Sequence, residues 1–269
     1  MKALLIYRAA RFSPNSVDKD KKILEAVGDE LCNKGHDVTY VAEENISDED
    51  DADVILSMGR LPETIEWLAR KEKEARVTLN SSKGMGNASR STIERLMREN
   101  DIPAAPLEGD DGYWLKRGDS AAQQKADVVY AKDGEERERV LDDFKARGIS
   151  DVVVTAHVVG DLVKFYGVRG TGFFKCFYPT DDGENKFDDE KRNGLAHHYN
   201  FDIQRLMENA ERLAAITGLD VYGGDCIVRS DGSFAIIDFN DWPSFSRCRE
   251  EAAKAIVLRV ERIQLEKTC

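Results

Sequence analysis

The stretch VYGGDCIVRSDGSFAIIDFN, Val221 to Asn240, consists of two apolar runs separated by Ser230-Asp231-Gly232. A turn triplet ending in glycine between two β-type runs predicts an antiparallel hairpin. The hairpin sets Asp225 on one strand beside Asp238 and Asn240 on the next. Asp238 and Asn240 are two residues apart in a strand and therefore share a face. Two carboxylates and an amide oxygen converging on one point suit a hard divalent cation such as Mg²⁺, which takes a few oxygen ligands and leaves the rest to water and phosphate. The competing reading is that the strands simply end in turn-forming residues; Asp225, set in apolar company, weighs against it. Trp242 and Phe245 follow at once and are expected to pack beneath the turn, with Cys226 as small core filler.

Upstream of the hairpin, two lysines interrupt apolar strands: Lys164 in DLVKFYGV and Lys116 in YWLKRG. A single lysine in a strand usually faces solvent by alternation. Two of them ahead of an oxygen-rich cation site read together as a nucleotide phosphate site, because phosphate oxygens need point positive charges as well as metal. The chain has neither a GxxxxGK[ST] loop nor a GxGxxG after a strand, which argues against the common P-loop and dinucleotide folds.

Further out, the opening 80 residues alternate strand and helix: KALLIY, a helix with Ile23, Leu24, Val27 and Leu31 on one face, DVTYV, ADVILSM, a helix from Pro62, and RVTLN. That order predicts a parallel sheet, and Gly35 after Lys34 is the expected helix cap. A helix from Ser89 or Ser91 ends before Pro103; short strands around one helix follow, then the hairpin block and a closing helix. The polar stretch from Pro179 to His198 reads as an exposed, mobile loop, and the adjacent His197 and His198 as its solvated residues rather than metal ligands. The expected division is 1–82, 83–158 and 159–269, an α/β unit followed by two α+β units.

The 269 residues suffice for a sizeable core, and a formal charge of −12 disfavours non-specific attraction to nucleic acid or anionic lipid. Five cysteines without CxxC spacing, and a start, MKALLIY, too short for a signal sequence, lead to the expectation of a reduced, cytoplasmic protein. No apolar run approaches a membrane span. Arg8 and Arg11 follow the first strand and Arg60 the third, at the edge where open α/β sheets bind ligands; Arg247 and Arg249 follow the hairpin. An anionic acceptor fits them, against the plainer reading of surface arginines.

The order of these features, with Asn80, RLMRENDIPAAP, the lysine strands, GGDCIV and IIDFN, resembles the ATP-grasp superfamily over nearly the whole chain. DFNDWPSF with VKFYGV upstream looks most like the inositol phosphate kinase branch, of the diphosphoinositol pentakisphosphate kinase type, whereas ligases of the superfamily usually carry Glu-x-Asn there. The resemblance implies an ATP-grasp fold with ATP and one or two Mg²⁺ ions held by Asp225, Asp238 and Asn240. It implies Lys116 and Lys164 on the α- and β-phosphates, the backbone of Thr155, Ala156, His157 and Val158 along adenine, and Asp161 near the ribose. Many members carry an arginine on the strand after the second lysine. Here that strand reads GFFKCFYP, which leaves Lys175, or Arg192 from the loop, to serve the phosphoryl group.

The implied chemistry is γ-phosphoryl transfer to a small anionic acceptor, an inositol phosphate in the first reading, bound by Arg8, Arg11, Arg60 and Arg247. The alternative is an ADP-forming carboxylate–amine or peptide ligase working through an acyl phosphate. A third reading is nucleotide binding without turnover.

Overall fold

The computed structural model describes residues 1–13, 17–74, 76–119, 122, 124–182 and 192–268. Ala3–Ile6 and Val54–Ser57 are buried at every position, the mark of parallel strands covered on both faces. They belong to β1 (Lys2–Tyr7) and β3 (Val54–Ser57), flanked by the half-exposed β2 (Asp37–Ala42) and by β4 (Val77–Leu79) in a parallel sheet of order β2-β1-β3-β4. Helices α1 (Val17–Asn33) and α2 (Pro62–Lys73) make the crossovers. Gly35, at φ 80°, ends α1 as expected.

After a five-residue helix α3 (Ser82–Gly86), helix α4 (Arg90–Glu99) leads to a three-stranded sheet. Its order is β6-β5-β7, with β5 Tyr113–Arg117, β6 Val128–Ala131 and β7 Val152–Ala156, and all pairs are antiparallel. Tyr113 and Leu115 pack against Phe144 of α5 (Gly134–Ala146) on one face, so alternation turns Trp114 and Lys116 to the other.

The last sheet has order β11-β10-β8-β9, from β8 (Asp161–Val168), β9 (Phe173–Phe177), β10 (Val221–Val228) and β11 (Phe234–Asp241). The hairpin is present as read: β10 and β11 are antiparallel with Asp225 opposite Asp238, and Gly232 takes φ 80° in the turn. Helix α6 (Ile203–Thr217) covers the face carrying Val163, Phe165 and Cys226; α7 (Arg249–Thr268) lies beside α1.

Two cores join the first and last sheets. One contains Leu4, Ile6 and Ile55 with Val163, Phe165 and Phe239; the other contains Leu5 and Val54 with Val168, Val221 and Trp242. Asn80 seals the junction: its side chain accepts from Asp220 N (2.7 Å) and Val221 N (2.8 Å) and donates to Val221 O (3.1 Å). The middle sheet has a separate, smaller cluster around Leu115 and Phe144. Among the described residues no helix is long and apolar enough to cross a membrane, and Cys32, Cys176, Cys226 and Cys248 are free thiols. Of the polar loop, 183–191 lies outside the described residues.

Candidate active site

Register brings the expected residues into one row. Lys164 on β8 is opposite Asp225 on β10, which is opposite Asp238 on β11. Facing residues in antiparallel strands share a side of the sheet, and this side is the one turned away from α6. The Lys164 ammonium lies 3.2 and 3.3 Å from the two Asp225 oxygens. Asn240, two residues beyond Asp238, hydrogen-bonds its side chain. The close approach explains Gly223-Gly224: a Cβ on Gly224 would lie 2.3 Å from the Asp238 carbonyl oxygen. The β10–β11 register also shifts between Asp225 and Cys226, a bulge that re-aims the carboxylate.

Lys116 reaches this row from the middle sheet and donates to Ile237 O at 2.9 Å. Burial pulls the Lys116 ammonium below the ordinary lysine value, with Asp238 acting the other way and Arg90 adding to the fall. For Asp238, burial pushes the carboxyl up, but Arg90, Lys116, Asn240 and Lys164 outweigh it and hold it below the usual range. The site therefore keeps an ionised carboxylate among cations.

Arg90 is the residue that the sequence reading missed. Its Nε lies 3.9 Å from Asp238 Oδ1, and its Nη1 donates to Arg117 O. Ser89 caps α4, which makes Arg90 the first helical residue. A cation there opposes the helix dipole, so local stability does not account for it; a basic residue directly after a serine N-cap was the available signal.

The two residues expected to serve the phosphoryl group have other partners here. Lys175, opposite Tyr166 on β9, is held by Glu251 of α7 at 2.6 Å. Arg192 sits over the Tyr130 ring, 3.4 Å from its centroid, beside His157. Arg90 joins Lys116 and Lys164 as a cation acting on Asp238.

The acceptor arginines are also redistributed. Asp241, fully buried, takes both Arg60 and Arg8, the latter at 2.9 Å, and Arg8 also faces Asp20 at 3.6 Å. Burial pushes the Asp241 carboxyl up, but Arg60 and Arg8 hold it below its ordinary value. Buried Glu43, after β2, accepts from the amides of Ala9, Arg60 and Leu61, and so fixes both arginine-bearing loops. Arg247 donates to Tyr178 O and lies over Phe177; Arg11 lies over Phe12. Trp242 and Phe245 are buried at φ 42° and 45°, so the turn under Asp241 is strained.

At the expected adenine stretch, Ala156 N donates to Pro106 O and His157 N to Gly112 O, while Thr155 is opposite Trp114 in the sheet. Val158 O accepts from Asn193 Nδ2. Trp114 Nε1 donates to His157 Nδ1 at 3.1 Å, and Tyr130 packs edge-on to both rings. Asp161 is buried and accepts from His197 N (2.7 Å) and Tyr199 N (3.0 Å), so its carboxylate anchors the stretch that leads into α6. His197 pairs with it, and His198 pairs with Asp181.

Among the described residues there is no cluster of three His, Cys, Asp or Glu side chains with metal-site geometry. The facing carboxylates of Asp225 and Asp238 with the Asn240 amide are nevertheless an all-oxygen donor set, which fits a Mg²⁺ that keeps water and phosphate ligands.

Comparison with solved structures places the chain among ATP-grasp folds. A RimK domain ATP-grasp protein of Sphaerobacter thermophilus DSM 20745 superposes with TM-score 0.64 at 16% identity, over 97% of this chain and 99% of that one. D-alanyl-alanine synthetase A of Vibrio cholerae gives 0.69 at 12%, over 98% of each chain. D-alanine–D-alanine ligase of Bacillus anthracis gives 0.64 at 10%, over 99% of each. No family model and no curated protein sequence matches the chain. At these identities the likeness is one of fold, and the fold is ATP-grasp.

Proposed function

We propose that the chain is an ATP- and Mg²⁺-dependent enzyme that transfers the γ-phosphoryl group to a carboxylate and then passes the acyl group to an amine. The observation that carries this reading is the row Lys164–Asp225–Asp238, closed over by Lys116 and Arg90. Lys116 and Lys164 bind the triphosphate as point charges, and Arg90 holds the transferred group with a planar fork. Asp225, Asp238 and Asn240 would hold Mg²⁺, which neutralises charge on the phosphate oxygens when bound.

In the first step a carboxylate oxygen forms a bond to the γ-phosphorus, and the bond to the β-bridging oxygen breaks, ADP leaving with the electron pair. In the second the amine nitrogen attacks the acyl carbon, the C–O bond to phosphate breaks, and the nitrogen loses its proton. The names of two structural neighbours, a synthetase and a ligase of alanine units, support this class of reaction.

Direct transfer to a phosphorylated polyol is the second reading, favoured by aspartate rather than glutamate at 238. The fate of the arginines weighs against it: Arg8 and Arg60 are bound to Asp241, and Arg247 to Tyr178 O. A polyphosphorylated acceptor needs such cations uncommitted. The test is ADP release from Mg·ATP over a panel of carboxylates, amines and inositol phosphates, with hydroxylamine as a trap. Hydroxamate formed with a carboxylate supports the ligase; a phosphoester of an inositol phosphate without any hydroxamate overturns it.

A further inference from the structure

Trp114 shares a face of the middle sheet with Lys116, two residues or about 7 Å away along β5, and Tyr130 and Thr155 are its neighbours across β6 and β7. A nucleotide whose phosphates lie at Lys116 therefore brings its base within reach of this aromatic face. Two residues of the chain itself cover it. The Arg192 guanidinium lies 3.4 Å from the Tyr130 ring centroid, a stacking distance for planar groups. Beside it, Asn193 Nδ2 donates to Val158 O at 3.2 Å, and the Asn193 side chain also hydrogen-bonds the His157 side chain.

Trp114 sets the direction of that second bond. An indole N–H can only donate, so His157 Nδ1, which it meets at 3.1 Å, accepts, and the proton of the neutral ring sits on Nε2. Burial, helped by the charge of Arg192, holds the His157 ring below the ordinary histidine value and so keeps it neutral at pH 7. The ring therefore meets Asn193 as a donor, and the carboxamide oxygen accepts. One carboxamide thus satisfies a carbonyl and a ring N–H side by side. Adenine offers the same pair, an amino donor next to a ring-nitrogen acceptor, whereas guanine offers it reversed. The backbone amides of Ala156 and His157 are committed to Pro106 O and Gly112 O, so the reading falls to the His157 side chain.

We infer that the His157 ring and the Val158 carbonyl select the base, with Trp114 fixing the tautomer of the ring, and that Asn193 and Arg192 are an internal competitor for the same place. This rests on the ATP-dependent reading above and adds to it the residue that sets base selectivity and a self-blocking contact. Nucleotide binding then requires release of the Asn193 carboxamide, and the apparent affinity is reduced to the fraction of chains that have released it.

The experiment is calorimetry of the full chain with Mg²⁺ and non-hydrolysable analogues of ATP and GTP, on the unmodified protein, Asn193→Ala and Trp114→Phe. The unmodified protein is expected to prefer the ATP analogue at least about tenfold, and Asn193→Ala to bind it about three- to tenfold more tightly than the unmodified protein does. Trp114→Phe keeps an aromatic ring but frees the His157 tautomer, so the preference for the ATP analogue is expected to fall to about threefold or less. Equal binding of the two analogues by the unmodified protein, no tightening in Asn193→Ala, or an unchanged preference in Trp114→Phe overturns the assignment and leaves the ATP-dependent reading standing. Failure of both the unmodified protein and Asn193→Ala to bind either analogue overturns the two together.

Discussion

Arg90 occupies the first turn of α4, where its charge opposes the helix dipole, yet it stands 3.9 Å from Asp238. Removing a donor aimed at developing charge typically lowers kcat by 10²–10³, about 2.7–4 kcal/mol. Arg90→Ala is expected to show a loss of that order in kcat, with Arg90→Lys recovering part of it, while stability in urea changes by no more than about 1 kcal/mol. Unchanged kcat would remove Arg90 from the site. Asp161 makes a contrasting case. Burial pushes its carboxyl up, but the amides of His197 and Tyr199 and the His197 ring outweigh this, and its folded-state pKa lies below 3.8. The stability it contributes is therefore present above 3.8 and lost as pH falls through the lower, folded value. Urea unfolding between about pH 5 and pH 2 is expected to fall less steeply in Asp161→Asn than in the unmodified chain; equal slopes would contradict the anchoring role. Asp225, Asp238 and Asn240 were legible because one hairpin and strand alternation put them on a shared face, and Lys164 and Lys116 because each interrupts an apolar strand. Arg90, Asp241 and Glu43 were not, because their meaning lies in partners far away in the chain.

The junction between β4 and β10 depends on Asn80, whose single side-chain amide accepts from two backbone N–H groups and donates to one carbonyl. Asn80→Ala leaves buried amides of Asp220 and Val221 without this partner, and each such loss costs about 1–3 kcal/mol. A destabilisation of about 2–5 kcal/mol in urea is expected; a change below 1 kcal/mol would show that the sheets are held together without it. The elements themselves were readable from periodicity: the alternation of parallel strands with helices, the cap at Gly35 and the Gly232 turn follow local rules, and the start of α4 was narrowed to Ser89 or Ser91. The placement of Lys175 and Arg192 was not, since it is set by Glu251 on α7 and by the Tyr130 ring.

Across the whole molecule, the first and last sheets share two cores, whereas the middle sheet rests on the small cluster around Leu115, Phe144 and Ile149. Fewer buried apolar contacts imply a lower free energy of local opening. Amides of β5–β7 are expected to exchange with solvent at a lower free energy than those of β1, β3 and β10, and, on the proposed function, to gain protection when Mg·ATP is added. A single exchange free energy for all three sheets would contradict this.

In the proposed reaction a carboxylate oxygen attacks the γ-phosphorus beside Arg90 and the Asp225–Asp238 row. Turnover of an ¹⁸O-labelled carboxylate with Mg·ATP and an amine tests it directly, read from the isotope shift in the ³¹P spectrum of the released phosphate. One ¹⁸O is expected in each phosphate formed. Phosphate released without label, or label kept wholly in the organic product, would contradict it.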